Sequence, residues 1–344
     1  MKLAHKLLAV PALFALGLTA CSTSTQPSSS GSSAAGDKSS PATSKPAGNC
    51  EGLPQGNGET IYLVSKGFQH RFWQAVKQGA EQAGAECGYK VEFVGPDDET
   101  KTSQQLDQLE TALATNPVAI GFAALDSAAA VDVISRIEQA GIPIIAFDSG
   151  VESEVPVTTV STDNEAAAAE AAKHMVELIG GKGKVGVVCH DQTSTTGKQR
   201  CDGFQNYIKE NAPEVELLEP QVAGSVDLAT NASKSLIQST PDIAGIYGTN
   251  EAAATGAVNG AAESGNDKLV VVGFDSGKTQ IDAIKAGTEA GAVTQAPVKM
   301  GYETVIAAVK AINGQTLDKA IDSGFAWYDK NNVDDPAIAE NLYE

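Results

Sequence analysis

From residue 59 onward, hydrophobic residues recur in short uninterrupted runs, the pattern of strands buried on both faces of a sheet. Ten runs predict strands, at residues 61–65, 91–94, 118–122, 142–147, 157–160, 184–188, 215–218, 243–247, 269–274 and 291–294. Between most of them apolar positions recur every three or four residues, which indicates amphipathic helices. The clearest helices are predicted at residues 72–87, 102–115, 128–140, 165–179, 225–239 and 251–264.

Strands that alternate with helices predict parallel sheets covered on both faces, so the fold class is α/β. Roughly ten strands are more than one such sheet usually carries in a chain of this length. The stretch Gly180-Gly181-Lys182-Gly183 interrupts the chain after the fifth strand. We therefore predict two lobes, each built on its own parallel sheet.

The N-terminal segment has a different pattern. Two lysines, Lys2 and Lys6, precede an apolar run at residues 7–18 that is shorter than the ~20 residues a membrane-spanning helix needs. Residues 1–20 therefore read as an export signal. The tetrapeptide ending at Cys21 resembles the bacterial lipoprotein box, and this resemblance implies cleavage before Cys21, acylation of that residue and an extracytoplasmic, membrane-anchored protein. An ordinary secretory signal followed by a free cysteine is the alternative.

Residues 22–49 contain no Val, Ile, Leu or aromatic residue, and Ser, Pro, Gly, Ala and Thr dominate them. Such a segment cannot bury enough apolar area to offset the entropy lost on ordering. We expect a disordered tether over residues 21–56 that gives the folded body reach from the membrane.

The other four cysteines are Cys50, Cys87, Cys189 and Cys201, an even number in an exported chain, which favours disulfides. Three pairings are possible, and proximity in the sequence favours Cys50–Cys87 with Cys189–Cys201. Metal binding is the alternative, but no pair has Cys-x-x-Cys spacing and only His190 stands beside them. We predict no metal site and no cofactor.

The charge balance excludes one class of partner. The 344 residues include 24 Lys and Arg against 43 Asp and Glu, a formal net charge of −19. Affinity for nucleic acid comes from clustered cations that release counterions from phosphates. A chain this acidic offers no broad basic surface, so we expect no nucleic-acid partner.

Ligands of parallel sheets bind beyond the carboxyl ends of the strands, so residues just past each predicted strand are the candidates for a site. Those with useful chemistry are Lys66, Phe72, Trp73, Asp148, Ser149, His190, Asp191, Arg200, Asn250, Glu251, Asp275 and Gln295. Carboxylates, amides and a guanidinium can bond to hydroxyl groups, while aromatic rings stack on C–H faces. This mixture predicts a sugar ligand.

Each candidate also has a structural interpretation. The three residues Asp148, Asn250 and Asp275 could cap helices. The adjacent aromatics at 72 and 73 could be core residues, and Arg200 could be a solvated helix charge. Their shared position at one edge of the fold favours ligand binding.

Several stretches resemble the exported solute-binding proteins of sugar ABC transporters, of the ribose-binding type, over residues 60–318. They are Phe72-Trp73-Gln74-Ala75-Val76-Lys77-Gln78-Gly79-Ala80, residues 140–148, Ser161-Thr162-Asp163-Asn164, Asp202-Gly203-Phe204, residues 270–275 and residues 291–295. The resemblance implies a type I periplasmic binding protein fold, in which two Rossmann-like lobes are joined by three hinge crossovers, near residues 161–162, 296–297 and 320. The first lobe would comprise 57–162 and 297–320, and the second 163–296 and 321–344.

The same resemblance implies a monomer whose lobes close over a sugar and then dock on the permease of an ABC importer. It assigns ligand binding to Phe72, Trp73, Asp148, Arg200, Asn250, Asp275 and Gln295, with Lys66 and Ser149 as further candidates. Ribose-binding members carry an arginine where this chain has Ser149, and residues 224–227 lack the family's aromatic, so a different or larger sugar is expected.

Three other functions remain as alternatives. The autoinducer-2 binding branch shares Lys66 and Asp148, but its Asp-Gln pair falls on Thr196-Gly197. A sugar-responsive repressor needs an N-terminal helix-turn-helix, which the signal and tether replace. Enzymatic activity would rest on His190-Asp191 with nearby serines or on Asp97-Asp98, and neither cluster implies a nucleophile within reach of a base. We therefore predict a binding protein without catalytic activity.

Overall fold

The computed structural model describes residue 50 and residues 52–68, 70–266 and 268–343. The predicted export signal, Cys21 and most of the predicted tether lie outside the described residues. Among the described residues, no helix is both long and apolar enough to cross a membrane.

In chain order the elements are β1 (Thr60–Val64), α1 (Arg71–Cys87), β2 (Lys90–Val94), α2 (Thr102–Ala114), β3 (Ala119–Phe122), α3 (Val131–Gln139), β4 (Ile144–Phe147), β5 (Thr158–Ser161), α4 (Asn164–Leu178), β6 (Gly183–Cys189), α5 (Thr195–Asn211), β7 (Val215–Leu217), β8 (Gln221–Val222), α6 (Val226–Ser239), β9 (Ile243–Gly248), α7 (Glu251–Ser264), β10 (Val270–Phe274), α8 (Lys278–Ala286), β11 (Gly291–Gln295), α9 (Pro297–Ile312), β12 (Ala320–Asp322), β13 (Phe325–Asp329) and α10 (Pro336–Ala339).

These strands form two sheets. The first has the order β12-β5-β4-β3-β1-β2, with every pair parallel. The second has the order β13-β11-β10-β9-β6-β7, with β8 beside β6, and only β13 runs antiparallel to its neighbour. The prediction of an α/β protein with two parallel-sheet lobes is confirmed, and all ten predicted strands form within two residues of the expected bounds.

The chain passes between the sheets three times: after β5, after β11 and after β12. The first two crossings follow Ser161 and Gln295. The third lies at residues 323–324, because Ala320–Asp322 pairs with β5 as an edge strand of the first sheet. The glycine-rich stretch at 180–183 is a turn inside the second lobe, between α4 and β6.

Both ends of the described chain contact the core of the first lobe. Leu53 packs on that core, the Gly56 amide donates to the Cys87 carbonyl at 2.9 Å, and the Cα atoms of Cys50 and Cys87 lie 5.5 Å apart, so these residues of the expected tether are packed. At the other end, Leu342 packs on the second lobe, whereas the Tyr343 ring packs in the core of the first.

Two glycines bring α1 close to α9. A Cβ on Gly79 would lie 1.8 Å from the Val298 carbonyl oxygen, and one on Gly301 would lie 1.9 Å from that of Val76. Only glycine permits this backbone approach. It fixes the middle of α1 against the first two turns of α9, the helix that follows the second crossing.

Candidate functional site

The carboxyl ends of strands from both sheets border one cavity between the lobes. Its free volume is about 20 Å3, far below that of a small-molecule site, so the lining residues must move apart to admit a ligand. The cavity is lined by Lys66, His70, Phe72, Trp73, Glu99, Asp148, His190, Arg200, Asn250, Asp275 and Gln295. The first six belong to the first lobe and the other five to the second. Of the residues that the sequence selected as ligand-binding, only Ser149 is missing from the lining described.

Ser149 follows Asp148, but it is fully buried and its hydroxyl has no hydrogen-bond partner among the described residues. Its amide donates to the Phe147 carbonyl, which turns the chain tightly at this point. A contact between the Ser149 side chain and a ligand is therefore not supported by the geometry.

Asp148 and Asp275 occupy equivalent positions in the two lobes, each within a Phe-Asp-Ser-Gly sequence directly after a central strand. Both have positive φ angles, 56° for Asp148 and 83° for Asp275, a conformation that non-glycine residues rarely adopt. Each amide donates to the neighbouring strand, at 2.9 Å to the Val160 carbonyl and at 2.7 Å to the Val293 carbonyl. Such strained residues cluster at functional sites, and here the turn brings both carboxylates to the cavity.

Lys66 and Asp148 form a buried ion pair on the first lobe, with the ammonium 3.4 Å from the carboxylate. Lys66 also donates to the Thr196 hydroxyl of the second lobe at 2.8 Å. Burial lowers the pKa of Lys66, but the carboxylates of Asp148 and Glu99 outweigh it, so the pKa is raised and the ammonium stays charged. Burial also raises the pKa of Asp148, and the facing Lys66 is the group that most opposes this.

Asp275 is the centre of the second lobe's polar cluster. Gln295 donates to one carboxylate oxygen at 2.7 Å, and the Glu251 amide donates to the other at 3.0 Å. The Arg200 guanidinium lies 3.9 Å from that second oxygen and 3.8 Å above the Phe274 ring. Asp275 is thus held rigidly with its charge balanced by Arg200.

Phe72 and Trp73 open α1 and are both nearly inaccessible to solvent. Their rings meet edge to face with centroids 4.9 Å apart, and the Trp73 indole donates to Glu99 at 2.9 Å. Both residues belong to the first lobe's core and also line the cavity. The pair is therefore part of the core and of the cavity wall, and its stacking on a ligand stays a prediction.

Asn250 likewise combines two roles. Its side-chain oxygen accepts from the Ala253 amide at 2.9 Å and so caps α7. The amide nitrogen is the part of this side chain that is left to bind a ligand.

Three lining residues are not among those that the family resemblance assigns to the ligand: His70, Glu99 and His190. His70 precedes α1, and Glu99 lies in the loop before α2, so neither directly follows a strand. His190 directly follows β6 and is one of the strand-end candidates from the sequence. Burial lowers the pKa of His190 to about 4, so its imidazole is neutral near pH 7.

His70 and Glu99 carry opposite charges. Burial lowers the pKa of His70, but Glu251 and Glu99 outweigh this and raise it to about 9. Burial raises the pKa of Glu99, but His70, Lys66 and the Trp73 indole outweigh this and lower it. Both groups are therefore ionised near pH 7.

The His190-Asp191 pair lacks the geometry of a nucleophilic site. The His190 ring lies 3.4 Å from Asp191 and 2.7 Å from the Thr249 hydroxyl. Thr249 is fully buried, and its oxygen already accepts from the His190 amide at 2.8 Å. The Ser194 hydroxyl donates to Asp191, which caps this loop, rather than to His190. Asp98, from the other candidate cluster, accepts from the Thr100 amide in an exposed turn.

A more open groove lies elsewhere on the first lobe, lined mainly by residues 116–118, 138–144 and 311–312. It borders the amino ends of β3 and β4, opposite the edge where parallel sheets bind ligands. No cluster of three or more potential metal ligands occurs within the described part of the chain.

Comparison with known proteins agrees with this geometry. Residues 61–316 match the periplasmic binding protein domain. The D-apiose import binding protein of Actinobacillus succinogenes is 28% identical over 75% of this chain and 84% of its own length. A solute-binding protein from Agrobacterium vitis, solved with α-D-tagatopyranose, is 29% identical with a TM-score of 0.80, covering 83% of this chain and 99% of that one.

A Brachyspira murdochii protein, described as an ABC transporter and LacI family transcriptional regulator, is 38% identical with a TM-score of 0.73. The match covers 83% of this chain and 99% of that chain. The shared fold, the long matches and the cavity between two lobes agree with one another. The chain belongs to the periplasmic binding protein family.

Proposed function

We propose that this protein is an extracytoplasmic receptor that binds a monosaccharide or similarly small sugar between its lobes and delivers it to an ABC importer. The observation that carries the proposal is the cavity at the strand ends, where polar groups from both lobes meet two aromatic rings. Relatives named for the import of apiose and ribose, and a similar structure with bound tagatopyranose, support the same ligand class.

The charges in the cavity favour a neutral ligand. Each cation in the cavity already faces a carboxylate. Lys66 faces Asp148 at 3.4 Å, Arg200 faces Asp275 at 3.9 Å, and His70 faces Glu251 at 3.3 Å. A charged ligand would leave one buried charge without a partner, which is costly. A polyhydroxylated sugar can instead accept from the cations and donate to the carboxylates without changing this balance.

We further propose that the chain is exported, attached to the membrane through acylated Cys21 and monomeric, with the permease of the importer as its protein partner. Acyl chains contribute about 0.8 kcal/mol per buried methylene, which is enough for two or more chains to anchor a soluble body. Mass spectrometry of the native N-terminus tests the anchor: acyl mass on Cys21 is expected, and an unmodified N-terminus elsewhere would contradict it. We propose no catalytic activity, since the hydroxyl beside His190 belongs to the fully buried Thr249 and the Ser194 hydroxyl donates to Asp191 instead.

A thermal-shift screen tests the ligand class. The panel contains D-ribose, D-apiose, D-allose, D-arabinose, D-fucose, D-tagatose, short oligosaccharides and autoinducer-2. A ligand that binds only the folded protein raises its melting temperature by mass action. We expect a monosaccharide to give the largest shift. A response to autoinducer-2 alone would favour the alternative branch, and no response to any sugar would refute the proposal.

Arg200→Ala then tests the site by calorimetric titration with the sugar that gives the largest shift. Loss of a buried charged donor should cost about 2–3 kcal/mol of binding, tens- to hundreds-fold in affinity. The matched control is Lys184→Ala, since Lys184 pairs with Asp242 on the surface at 3.0 Å. Equal affinities of Arg200→Ala and the control would mean that the cavity is not the binding site.

A further inference from the structure

The last residues of the chain are attached to the second lobe. Side chains of Ile338 and Leu342 pack against a cluster made of Ile281, Ile284, Ala292, Tyr328 and Val333. The Asn341 carbonyl accepts from the Thr294 hydroxyl at 3.0 Å, one residue before Gln295 of the cavity. The C-terminal segment is therefore fixed beside the binding site.

Tyr343 extends from this segment to the first lobe. Its side chain is buried, and its hydroxyl accepts from the Ser276 amide at 3.1 Å. Its ring packs against Phe72 of the first lobe, with centroids 5.8 Å apart and an interplanar angle of 69°. One side chain thus contacts a cavity-lining aromatic ring and the residue that follows Asp275.

The backbone at Asp275 needs such support, because its φ of 83° is unfavourable for a residue with a side chain. The Asp275 carbonyl accepts from the Tyr328 hydroxyl at 2.8 Å, and the next amide is held by Tyr343. Neither tyrosine is among the residues that line the cavity. Both tyrosines therefore fix the backbone around Asp275 without lining the cavity.

The two contacts of Tyr343 link the lobes, since Ser276 belongs to the second lobe and Phe72 to the first, and opening that separates these residues would break one of them. A contact made in one conformation and lost in the other shifts the equilibrium toward the first. Tyr343 therefore favours the closed form and orients Phe72 and Asp275 within it.

We propose that Tyr343 is a positioning residue of the sugar site, which holds Phe72 and the Asp275 backbone in their closed arrangement and slows sugar release without touching the sugar. This inference rests on the proposed function, because it assigns the effect to sugar binding. Tyr343 follows no strand, so a search for ligand-binding residues at strand ends does not find it.

The test compares wild type, Tyr343→Phe and Tyr343→Ala in the full mature chain. The probe is whichever of D-ribose, D-apiose, D-allose, D-arabinose, D-fucose and D-tagatose the wild type binds. Stopped-flow fluorescence gives the dissociation rate, and calorimetry gives the affinity. We expect a three- to tenfold loss of affinity for Tyr343→Phe and a larger one for Tyr343→Ala, mainly through faster dissociation.

Val333→Ala is the matched control, because Val333 is buried in the same C-terminal cluster and lies outside the contacts made by Tyr343. It should lower the melting temperature and leave the dissociation rate unchanged. Wild-type dissociation in both Tyr343 variants would overturn the inference, as would an equally large acceleration in Val333→Ala.

Small-angle scattering of the unliganded proteins separates this inference from the proposed function. If the wild type binds none of the sugars, the proposed function fails, and the radius of gyration still tests Tyr343. A larger radius for Tyr343→Ala than for wild type and Val333→Ala would support its role in closure. Equal radii would overturn it.

Discussion

At the scale of single residues, the two Phe-Asp-Ser-Gly turns differ in how firmly they are held. Tyr328 and Tyr343 hold the backbone around Asp275, and Ser276 bonds to the Thr294 hydroxyl at 2.7 Å. The equivalent serine of the first lobe, Ser149, has a buried hydroxyl with no such partner in the described chain. The second lobe therefore offers the more rigid carboxylate.

This difference makes Asp275 the carboxylate to test. Asp275→Ala should weaken sugar binding by about 2–3 kcal/mol, because Arg200 and Gln295 lose a buried partner as well as the sugar hydroxyl. Calorimetric titration measures the loss. Asp242→Ala, which removes an exposed carboxylate, should keep wild-type affinity. An Asp275→Ala protein that also keeps it would show that this carboxylate faces no ligand.

Glu289 gives a second prediction, on stability. It is buried behind β10, with Gln280 donating to it at 3.1 Å, and burial raises its pKa to about 8. The folded protein therefore keeps a proton that the unfolded chain releases near pH 4.5. Linkage then requires the free energy of unfolding to fall as pH rises from about 4.5 to about 8.

Replacing Glu289 by Gln should remove this fall, because the amide cannot ionise. Urea unfolding at pH 5 and at pH 8.5 measures it, and Glu289→Gln should be more stable than wild type at pH 8.5 by at least about 1 kcal/mol. Glu154→Gln, at a fully exposed carboxylate, should follow wild type at both values. Identical pH dependence in all three proteins would contradict a buried neutral carboxyl.

At the scale of elements, the predicted Cys189–Cys201 disulfide would join the end of β6 to α5 beside two cavity residues. Cys189 precedes His190, and Cys201 follows Arg200, with Cα atoms 5.6 Å apart. The predicted Cys50–Cys87 disulfide, with Cα atoms 5.5 Å apart, would instead tie the start of the folded body to the end of α1. Only the Cys189–Cys201 pair lies against the site.

Removing each disulfide separates stability from binding. Each loop closure should contribute about 2–4 kcal/mol to stability. The double variant Cys189→Ser/Cys201→Ser should lower both the melting temperature and the sugar affinity, since Arg200 loses its anchor. Cys50→Ser/Cys87→Ser should lower the melting temperature alone. Equal effects on affinity would refute the positional argument, and four alkylatable thiols in the unreduced wild type would refute both pairs.

The sequence predicts the central strands because they are continuous apolar runs, such as the fully buried Ala119–Phe122. It missed β12 and β13, whose residues are mostly exposed or half-buried at sheet edges and therefore lack that signal. It did not specify α5, a polar helix with few apolar positions that starts at the Ser194 cap.

The residues of the site also divide into those with a local signal in the sequence and those without one. Asp148 and Asp275 were predictable because strand ends converge by topology. His70, Glu99 and Tyr343 come from loops and the chain terminus, whose positions are set by tertiary packing that a single sequence does not encode locally.

At the scale of the whole molecule, the lobes meet directly around the cavity. The loop after β6 reaches the first lobe, where the Thr193 hydroxyl donates to the Leu125 carbonyl at 3.0 Å and the Thr193 carbonyl accepts from the Ser127 amide at 3.1 Å. Lys198 lies 3.3 Å from Glu152 across the same boundary. The structure is therefore closed, and a sugar bound between the lobes would contact both of them at once.

One further contact between the lobes is an ion pair whose strength depends on pH. His70 of the first lobe lies 3.3 Å from Glu251 of the second. In the closed form Glu251 and Glu99 overcome the effect of burial and raise the pKa of His70 to about 9. Opening separates His70 from Glu251 and exposes it to water, which returns its pKa toward the ordinary 6.5. Closure therefore takes up a proton between about pH 6.5 and pH 9.

Sugar affinity should consequently fall as pH rises through this window, about tenfold between pH 7 and pH 9.5, because the deprotonated imidazole no longer attracts Glu251. Lys66 and Glu99 keep their charges over this range, since the pKa of Lys66 is raised above 10.5 and that of Glu99 is lowered below 4.5. Titrations of wild type and His70→Gln at intervals across the range isolate the effect. The variant should bind more weakly at pH 7 and show a flat profile, whereas parallel profiles for the two proteins would assign the dependence to another group.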